Sequence, residues 1–168
     1  MAARTLRDNV DVIIDQWIDE RPDLDVSPIG VIGRISRLSR IIDRELAANF
    51  ARHGLENWMY DVLATLRRSG APYELAAGAL VQQTMVTTGA ITNRIDRLEE
   101  RGLVERVAAT DRRKVIVRLT SKGRRLVDDV AGPHLDGERR LLATLSARQQ
   151  HDLANLLRAT LVALGDHP

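Results

Sequence analysis

The stretch "TTGAITNRIDRLEERGLVERVAATDRRKVIVRLTSKG", residues 87–123, decides the fold of this chain. Its first part predicts a helix from about Thr87 to Arg101, which stops at Gly102 because glycine is favoured just beyond a helix C-terminus. "LVERV" and "VIVRLT" then alternate apolar with polar residues, as short half-buried strands do. The turn between these strands carries three consecutive cations, Arg112, Arg113 and Lys114. The pattern therefore places concentrated positive charge at the tip of a hairpin.

Most of the remaining sequence has the apolar periodicity of helices. We expect a kink or break at Pro133, because proline removes a backbone hydrogen-bond donor. Ser146 is a predicted N-terminal cap for the last helix. Helices are predicted at residues 6–18, 28–53, 56–68, 72–80, 120–130 and 146–164. The chain is thus expected to be mainly α, with a small wing of two or three strands.

The basic residues are concentrated in one part of the sequence. Residues 84–125 contain eleven Lys or Arg and five acids, a net charge of +6, whereas the whole chain carries only +2. An isolated cluster of this kind would be a solvated charged face. Because this one coincides with a helix and a hairpin, it indicates a surface for a polyanion.

Composition excludes several classes of protein. The chain has no cysteine, which removes disulfides and thiolate chemistry. No apolar run reaches the length of a membrane span, and acids interrupt the apolar N-terminus, so we expect a cytoplasmic protein without a membrane partner. The histidines lack the spacing of metal ligands, so neither a metal nor a cofactor is expected. His53, His134 and His151 are expected at the surface or at helix ends.

The order of helix, helix, helix, strand, basic turn and strand is that of a winged helix-turn-helix. A helix fits the major groove of DNA, and a basic wing can reach the adjacent minor groove. On the proposed recognition helix, Ile91, Ile95 and Leu98 cluster on the face that should pack inward. The opposite face and the helix start supply the candidate contacts with double-stranded DNA. These are Thr87, Thr88, Gly89, Thr92, Asn93 and Arg97, joined by Arg112, Arg113 and Lys114 of the wing.

Three segments together resemble the MarR family of bacterial transcription regulators: "GLENWMYDVLATLRRSG", "TTGAITNRIDRLEERGLVERV" and "DRRKVIVRLTSKGRRLV". The resemblance covers about residues 28–165 and implies that Asp111 pairs with Arg113 to brace the wing. It also implies an obligate homodimer formed by the terminal helices, which agrees with amphipathic segments that one wing domain could not bury. The expected organisation is an extra N-terminal helix at 1–26, a winged helix-turn-helix at 55–120, and dimerisation helices at 27–54 and 121–168.

The N-terminal extension resembles the PecS and HucR-like, urate-responsive branch of that family. This resemblance implies an effector site formed by a tryptophan, an aspartate and two arginines. The matching positions are Trp17, Asp61, Arg94 and Arg106. A flat anion such as urate could stack on the indole and bind Arg94 through two hydrogen bonds. Alternatively, Trp17 is a packing residue, Asp61 and Arg94 form a structural ion pair, and Arg106 contacts only phosphate or solvent.

Two hypotheses of function follow, with an enzyme disfavoured. The first is a repressor that binds a pseudopalindromic operator as a homodimer and is released by a small anion such as urate. The second is a DNA-binding regulator or architectural protein with no small-molecule effector, or with a phenolic or carboxylate one. The sequence contains neither a glycine-rich phosphate loop nor a Gly-x-Ser-x-Gly elbow, which argues against an enzyme.

Overall fold

The computed structural model of the chain describes residues 6–84, 86–108 and 114–167. Within these residues the backbone forms seven helices and three strands, which confirms the predicted fold class. The chain divides into an N-terminal unit, 1–45, and a C-terminal unit, 46–168. The helices are α1 (Asn9–Glu20), α2 (Ile29–Ala51), α3 (Asn57–Arg68), α4 (Ala77–Thr84), α5 (Thr88–Glu100), α6 (Ser121–Leu141) and α7 (Ala147–Ala163). The strands are β1 (Glu74–Ala76), β2 (Val104–Val107) and β3 (Ile116–Leu119).

The wing is a three-stranded antiparallel sheet in the order β1-β3-β2. The sequence predicted a helix from Pro72 to Leu80, and this prediction is wrong for the residues before Ala77. Glu74, Leu75 and Ala76 instead pair with Arg118, Val117 and Ile116 of β3, and the helix begins only at Ala77. Pairing with a neighbouring strand thus overrides the helical preference of an alanine-rich segment.

One apolar core joins the helices of the C-terminal unit to the wing. α5 contributes Ile91, Ile95 and Leu98, all of which are buried as their helical spacing predicted. They pack with other buried residues of α3, α4 and the sheet, including Val62, Leu63, Leu66, Leu80 and Val117. This packing fixes the inner face of α5 and leaves its other face to solvent.

The "LTSKG" segment, residues 119–123, ties the end of α5 to the start of α6. The Thr120 hydroxyl caps α6 by accepting from the backbone N–H of Gly123 at 3.0 Å. The same hydroxyl donates to the carbonyl of Gly102 at 2.8 Å. The Lys122 ammonium donates to the carbonyl of Arg101, also at 2.8 Å. This motif, which contributes to the family resemblance in the sequence, therefore forms a set of hydrogen bonds around the turn that follows α5.

The sequence predicted a kink or a break at Pro133, and the break does not occur, because α6 is continuous from Ser121 to Leu141. Pro133 lies on the exposed side of the helix, where water can satisfy the carbonyl that loses its donor. His134 also differs from expectation, because it lies mid-helix and half-buried. Its ring packs against Phe50 at 5.1 Å and Tyr60 at 4.7 Å between ring centroids.

The N-terminal unit is held by ion pairs between α1 and α2. Asp8 caps α1, accepting from the backbone N–H of Val10 at 2.7 Å and of Asp11 at 3.2 Å. Arg34 of α2 reaches across to Asp8 at 2.9 Å and to Asp11 at 2.7 Å. Val10 is buried, and a Cβ added to Gly33 would contact it at 3.2 Å, so the two helices approach closely there.

α7 carries an exposed apolar stripe. Ser146 caps the helix within a capping box that includes Gln149, as the sequence predicted for the cap. None of the helix's own residues is buried. Its exposed apolar residues recur at helical spacing: Leu153, Leu156, Leu157, Leu161 and Val162. Among the described residues, no helix is both long enough and apolar enough to span a membrane.

Candidate DNA-reading surface and effector residues

The start of α5 is capped by a threonine and is open to solvent. The Thr87 side chain accepts from the backbone N–H of Ala90 at 3.3 Å. Thr88 and Gly89 are exposed, and a Cβ added to Gly89 would meet nothing within 4 Å. A capped, unobstructed helix N-terminus is a favourable place for a phosphate, because backbone N–H groups and the helix dipole both point outward.

The exposed face of α5 carries the side chains that the sequence assigned to DNA. Thr92, Asn93 and Arg97 are all exposed on this face. The Thr92 hydroxyl donates to the carbonyl of Thr88 at 3.1 Å, which leaves its oxygen able to accept. Small hydroxyl and amide groups beside a cation suit close approach to base edges. The face has the chemistry of a groove-reading helix.

Arg97 is held by two residues at the start of α3. Its Nη2 donates to Glu56 Oε1 at 2.7 Å, and its guanidinium carbon lies 4.7 Å from the centroid of the Trp58 ring. The Trp58 indole N–H donates to the other carboxylate oxygen of Glu56 at 2.9 Å. The guanidinium therefore has a defined position although the side chain is 48% exposed.

Arg106 ties β2 of the wing to the recognition helix. Its guanidinium forms ion pairs with Asp96 and Glu99, both on α5. Its backbone N–H also donates to Glu99 Oε1, at 2.9 Å. The hydrogen bond with Asp96 raises the pKa of Arg106, so the cation is held firmly in this arrangement. An anionic ligand at Arg106 would compete with two carboxylates.

Arg94 and Asp61 are not paired with each other in this chain. Arg94 is half-buried, and its guanidinium carbon lies 5.6 Å from the Trp58 centroid. Among the described residues, neither Arg94 nor Asp61 has an ion-pair partner. Asp61 is exposed on α3, on the side of the helix away from the core. Among the described residues, the guanidinium of Arg94 thus contacts an aromatic ring without an ion pair, whereas that of Arg106 is paired with two carboxylates.

Trp17 belongs to the N-terminal unit. It is 45% exposed, which is unusual for so large an apolar ring. Together with Gln16 and Glu20 of the same helix it borders an open depression of the surface. An exposed aromatic face beside hydrogen-bonding side chains is a suitable platform for a flat polar molecule.

The wing carries one described member of the predicted cationic tip. Lys114 is exposed two residues before β3 begins, whereas Asp111, Arg112 and Arg113 lie outside the described residues. Below the tip, Arg118 of β3 donates to Glu74 of β1 at 2.7 Å and lies 4.0 Å from Glu105 of β2. These cross-strand pairs join all three strands on one face of the sheet.

Comparisons with known proteins agree with this geometry. The sequence model of the MarR family matches residues 53–114. The chain is 42% identical over 146 residues to the HTH-type transcriptional regulator PecS of Dickeya dadantii, covering 86% of this chain and 88% of PecS. The chain belongs to the MarR family. The resemblance inferred from the sequence is therefore confirmed, including the likeness to PecS.

Solved MarR family structures share the fold. AbsC from Streptomyces coelicolor is 22% identical with a TM-score of 0.78, covering 86% of this chain and 98% of AbsC. A mutant MarR from E. coli complexed with operator DNA is 25% identical with a TM-score of 0.74, covering 82% of this chain and 99% of that one. The protein is thus a DNA-binding transcriptional regulator of the MarR and PecS type, and its relatives identify a regulator rather than an enzyme.

Sequence reasoning missed the role of Glu56 and Trp58 in this MarR family protein. The Trp58 ring packs against the core and also lies under two arginines. The available signal was an acid at a helix N-cap position, where Ser, Thr, Asp or Asn is usual. Glu56 occupies that position without forming a side-chain cap, which leaves its carboxylate free for other partners.

Proposed function

We propose that this protein is a transcriptional repressor that binds a pseudopalindromic operator as a homodimer and releases it when a small planar anion of the urate type binds. Residues 55–120 would read DNA, and the helical segments 27–54 and 121–168 would form the dimer. Its place of action would be the cytoplasm, where chromosomal DNA lies. The observation that carries the proposal is the exposed face of α5, with a free helix start, small polar side chains and a fixed arginine.

The homodimer is supported by apolar surface that a single copy leaves in water. α7 has no buried residue, and its exposed apolar stripe runs from Leu153 to Val162. Several large apolar residues of α2 are exposed as well, among them Val31, Ile32, Ile35 and Leu38. Surfaces of this size on a soluble chain mark interfaces. A two-fold dimer would set two recognition helices roughly 34–36 Å apart, one turn of the DNA helix.

Effector release is supported by the availability of Arg94 and Trp17. The half-buried Arg94 has no ion-pair partner among the described residues, so its fork of N–H donors can take a planar anion. Trp17 offers an exposed ring for stacking. To cause release, the anion must bind a dimer with mismatched spacing between recognition helices better than it binds the DNA-bound form.

The test is release of operator DNA by urate at constant salt, since phosphate contacts make affinity steeply salt-dependent. A fragment of the intergenic DNA upstream of the coding sequence is titrated with protein, and then with urate, salicylate or citrate. We expect urate to release the DNA from the parent protein, and Arg94→Ala to abolish this response to urate in the DNA complex that the variant forms. Arg148→Ala, an exposed arginine of α7, is the matched control and should respond like the parent. Equal release of both variants would overturn the effector assignment.

A second candidate is a regulator of the same fold with no effector, or with a phenolic or carboxylate one. The observation that favours it is the commitment of Arg106 to Asp96 and Glu99, which is the arrangement of a structural brace. In that case urate leaves the complex intact. Salicylate would then release the DNA if the effector is phenolic, and citrate if it is a carboxylate.

A further inference from the structure

Glu56, Trp58 and Arg97 form a closed set of three contacts between α3 and the recognition helix. Arg97 donates to one oxygen of Glu56, Trp58 donates to the other, and the guanidinium of Arg97 lies over the indole ring. Each residue is thus held by the other two. The sequence separation of 41 residues between Glu56 and Arg97 makes this a tertiary contact, not a local one.

The carboxylate of Glu56 is committed to this set. Although Glu56 occupies the N-cap position of α3, its side chain accepts no backbone hydrogen bond there. The hydrogen bond from the Trp58 indole, followed by that from Arg97, lowers the pKa of Glu56, so the group is ionised wherever the protein is folded near neutral pH. A capping residue would have used the carboxylate locally, whereas here it fixes an arginine of another helix.

Most N–H groups of the Arg97 guanidinium form no hydrogen bond with the described residues. Arginine has five N–H groups, and among the described residues Arg97 uses one, toward Glu56. The others are available to DNA on the exposed face of α5. Because an arginine in solution must lose rotamer freedom to bind, one that is already stacked and paired loses less. A fixed guanidinium therefore binds DNA that has a hydrogen-bond acceptor at the matching position more tightly than it binds unrelated DNA.

The same ring also carries Arg94. The guanidinium carbons of Arg94 and Arg97 lie 5.6 Å and 4.7 Å from the Trp58 centroid. Residues three apart on a helix are neighbours, and two like charges there repel each other. An electron-rich ring within reach of both cations offsets this repulsion. The position of either arginine therefore affects how the other sits on the ring.

We infer that Glu56 and Trp58 are positioning residues that hold Arg97 for specific DNA recognition, and that Trp58 couples Arg97 to Arg94. The second part rests on the proposed function, in which Arg94 binds the effector. An anion that draws Arg94 away from the ring changes the surface on which Arg97 is held. DNA specificity then falls without any contact between effector and DNA.

The first experiment compares operator DNA with unrelated DNA at fixed salt, using Trp58→Leu and Glu56→Gln. We expect Trp58→Leu to lower the ratio of the two affinities roughly three- to tenfold, the range expected for a partly buried cation–π contact. Tyr60→Leu is the matched control, because Tyr60 is another half-buried aromatic of α3 that stacks on Phe50 and contacts neither arginine. Each variant is compared at the same folded fraction, measured by thermal unfolding.

The variant Glu56→Gln distinguishes two roles of Glu56: positioning Arg97, and repelling DNA through its negative charge. Removing a carboxylate near DNA would strengthen operator and unrelated DNA equally if Glu56 acted only by repulsion. Loss of positioning instead strengthens unrelated DNA while the specificity ratio falls. Glu100→Gln, an exposed acid at the end of α5, is the control for charge alone. A ratio unchanged in both Trp58→Leu and Glu56→Gln would overturn the inference.

A double-mutant cycle tests the coupling with DNA as the only ligand. Arg94→Ala, Arg97→Ala and the double variant are made in the parent and in the Trp58→Leu background. We expect the two effects on operator affinity to be non-additive in the parent and additive without the indole. Additive effects in both backgrounds would overturn the coupling. Non-additivity with no response to urate would instead overturn the effector assignment and support the coupling.

Discussion

Single residues at the corner between α5 and α6 carry constraints that composition does not reveal. Thr120 and Lys122 bind the carbonyls at the end of the recognition helix, and Gly123 lies against the next one. A Cβ built on Gly123 would lie 2.0 Å from the carbonyl oxygen of Leu103. That oxygen also accepts from the backbone N–H of Thr120 at 3.1 Å, so it cannot move away freely. Glycine is required here by space.

Gly123→Ala is therefore expected to destabilise the protein. The added methyl group must displace backbone at the end of the recognition helix, at a cost of about 2–3 kcal/mol. For a chain of this size the unfolding temperature should fall by roughly 4–12 °C. Gly132→Ala, in the same helix with nothing within 4 Å of its Cβ, should instead raise stability by about 0.5–1 kcal/mol. Equal unfolding temperatures for the two variants in differential scanning calorimetry would refute the packing argument.

The sequence predicted the positions of single residues correctly where helical spacing alone determines them. It did not predict contacts between residues that are distant in the sequence. The inward positions of Ile91, Ile95 and Leu98 follow from helical spacing, since an amphipathic helix has one possible inner face. The pairing of Glu56 with Arg97 could not be predicted, because nothing in either segment indicates that the start of α3 lies beside the last turn of α5. The candidate groove face was predictable, but the residues that fix its arginine were not.

At the scale of secondary-structure elements, the errors come from tertiary contacts and solvent. Glu74–Ala76 lies in an alanine-rich segment with helical preference, yet pairing with β3 makes it a strand. Pro133 should interrupt a helix by local rules, yet α6 continues past it because the affected side faces water. Helix ends set by side-chain caps were predictable, as with Ser146, because a cap depends only on nearby residues.

The stability of α1 should depend on pH. The backbone N–H of Asp8, followed by the Arg34 guanidinium, lowers the pKa of Asp11. A carboxyl whose pKa is lowered by folding stabilises the fold above its unfolded pKa of about 3.9. That stabilisation is lost as pH falls through the folded pKa. We therefore expect Asp11→Asn to unfold at lower temperature than the parent at pH 6, with the difference narrowing as the pH falls below about 3.9.

The matched control for this pH dependence is Asp19→Asn, an exposed acid of the same helix with no ion pair among the described residues. The difference in unfolding temperature between this variant and the parent should not narrow as the pH is lowered. The measurement is thermal unfolding followed by circular dichroism at several pH values and one ionic strength. A difference between Asp11→Asn and the parent that persists unchanged at pH 3 would contradict the assignment.

At the scale of the whole molecule, charge and apolar surface are separated along the chain. The segment 84–125, which includes α5 and β3, carries the excess of cations. The exposed apolar stripes belong to α2 and α7, toward the two ends of the sequence. This separation suits a protein that meets DNA with its middle and another copy with its termini.

The dimer proposal makes a prediction at this scale about α7. Leu156 is 70% exposed in a single copy, so Leu156→Glu should not disturb the fold of one chain. If a two-fold interface buries this residue in both copies, the change is counted twice and weakens association by about 4 kcal/mol, or roughly a thousandfold. The apparent affinity of the variant for the operator should then decrease as the protein is diluted, because single subunits reach only one half-site.

Sedimentation velocity over a concentration series measures this dissociation directly. His151→Glu provides a matched charge change on the same helix, at a position about 140° away from Leu156 around the helix axis. That variant should stay as associated as the parent, because a charge on the solvent side of α7 meets no partner. If Leu156→Glu associates as tightly as His151→Glu, the apolar stripe of α7 does not form the interface, and the dimer must use the apolar residues of α2 instead.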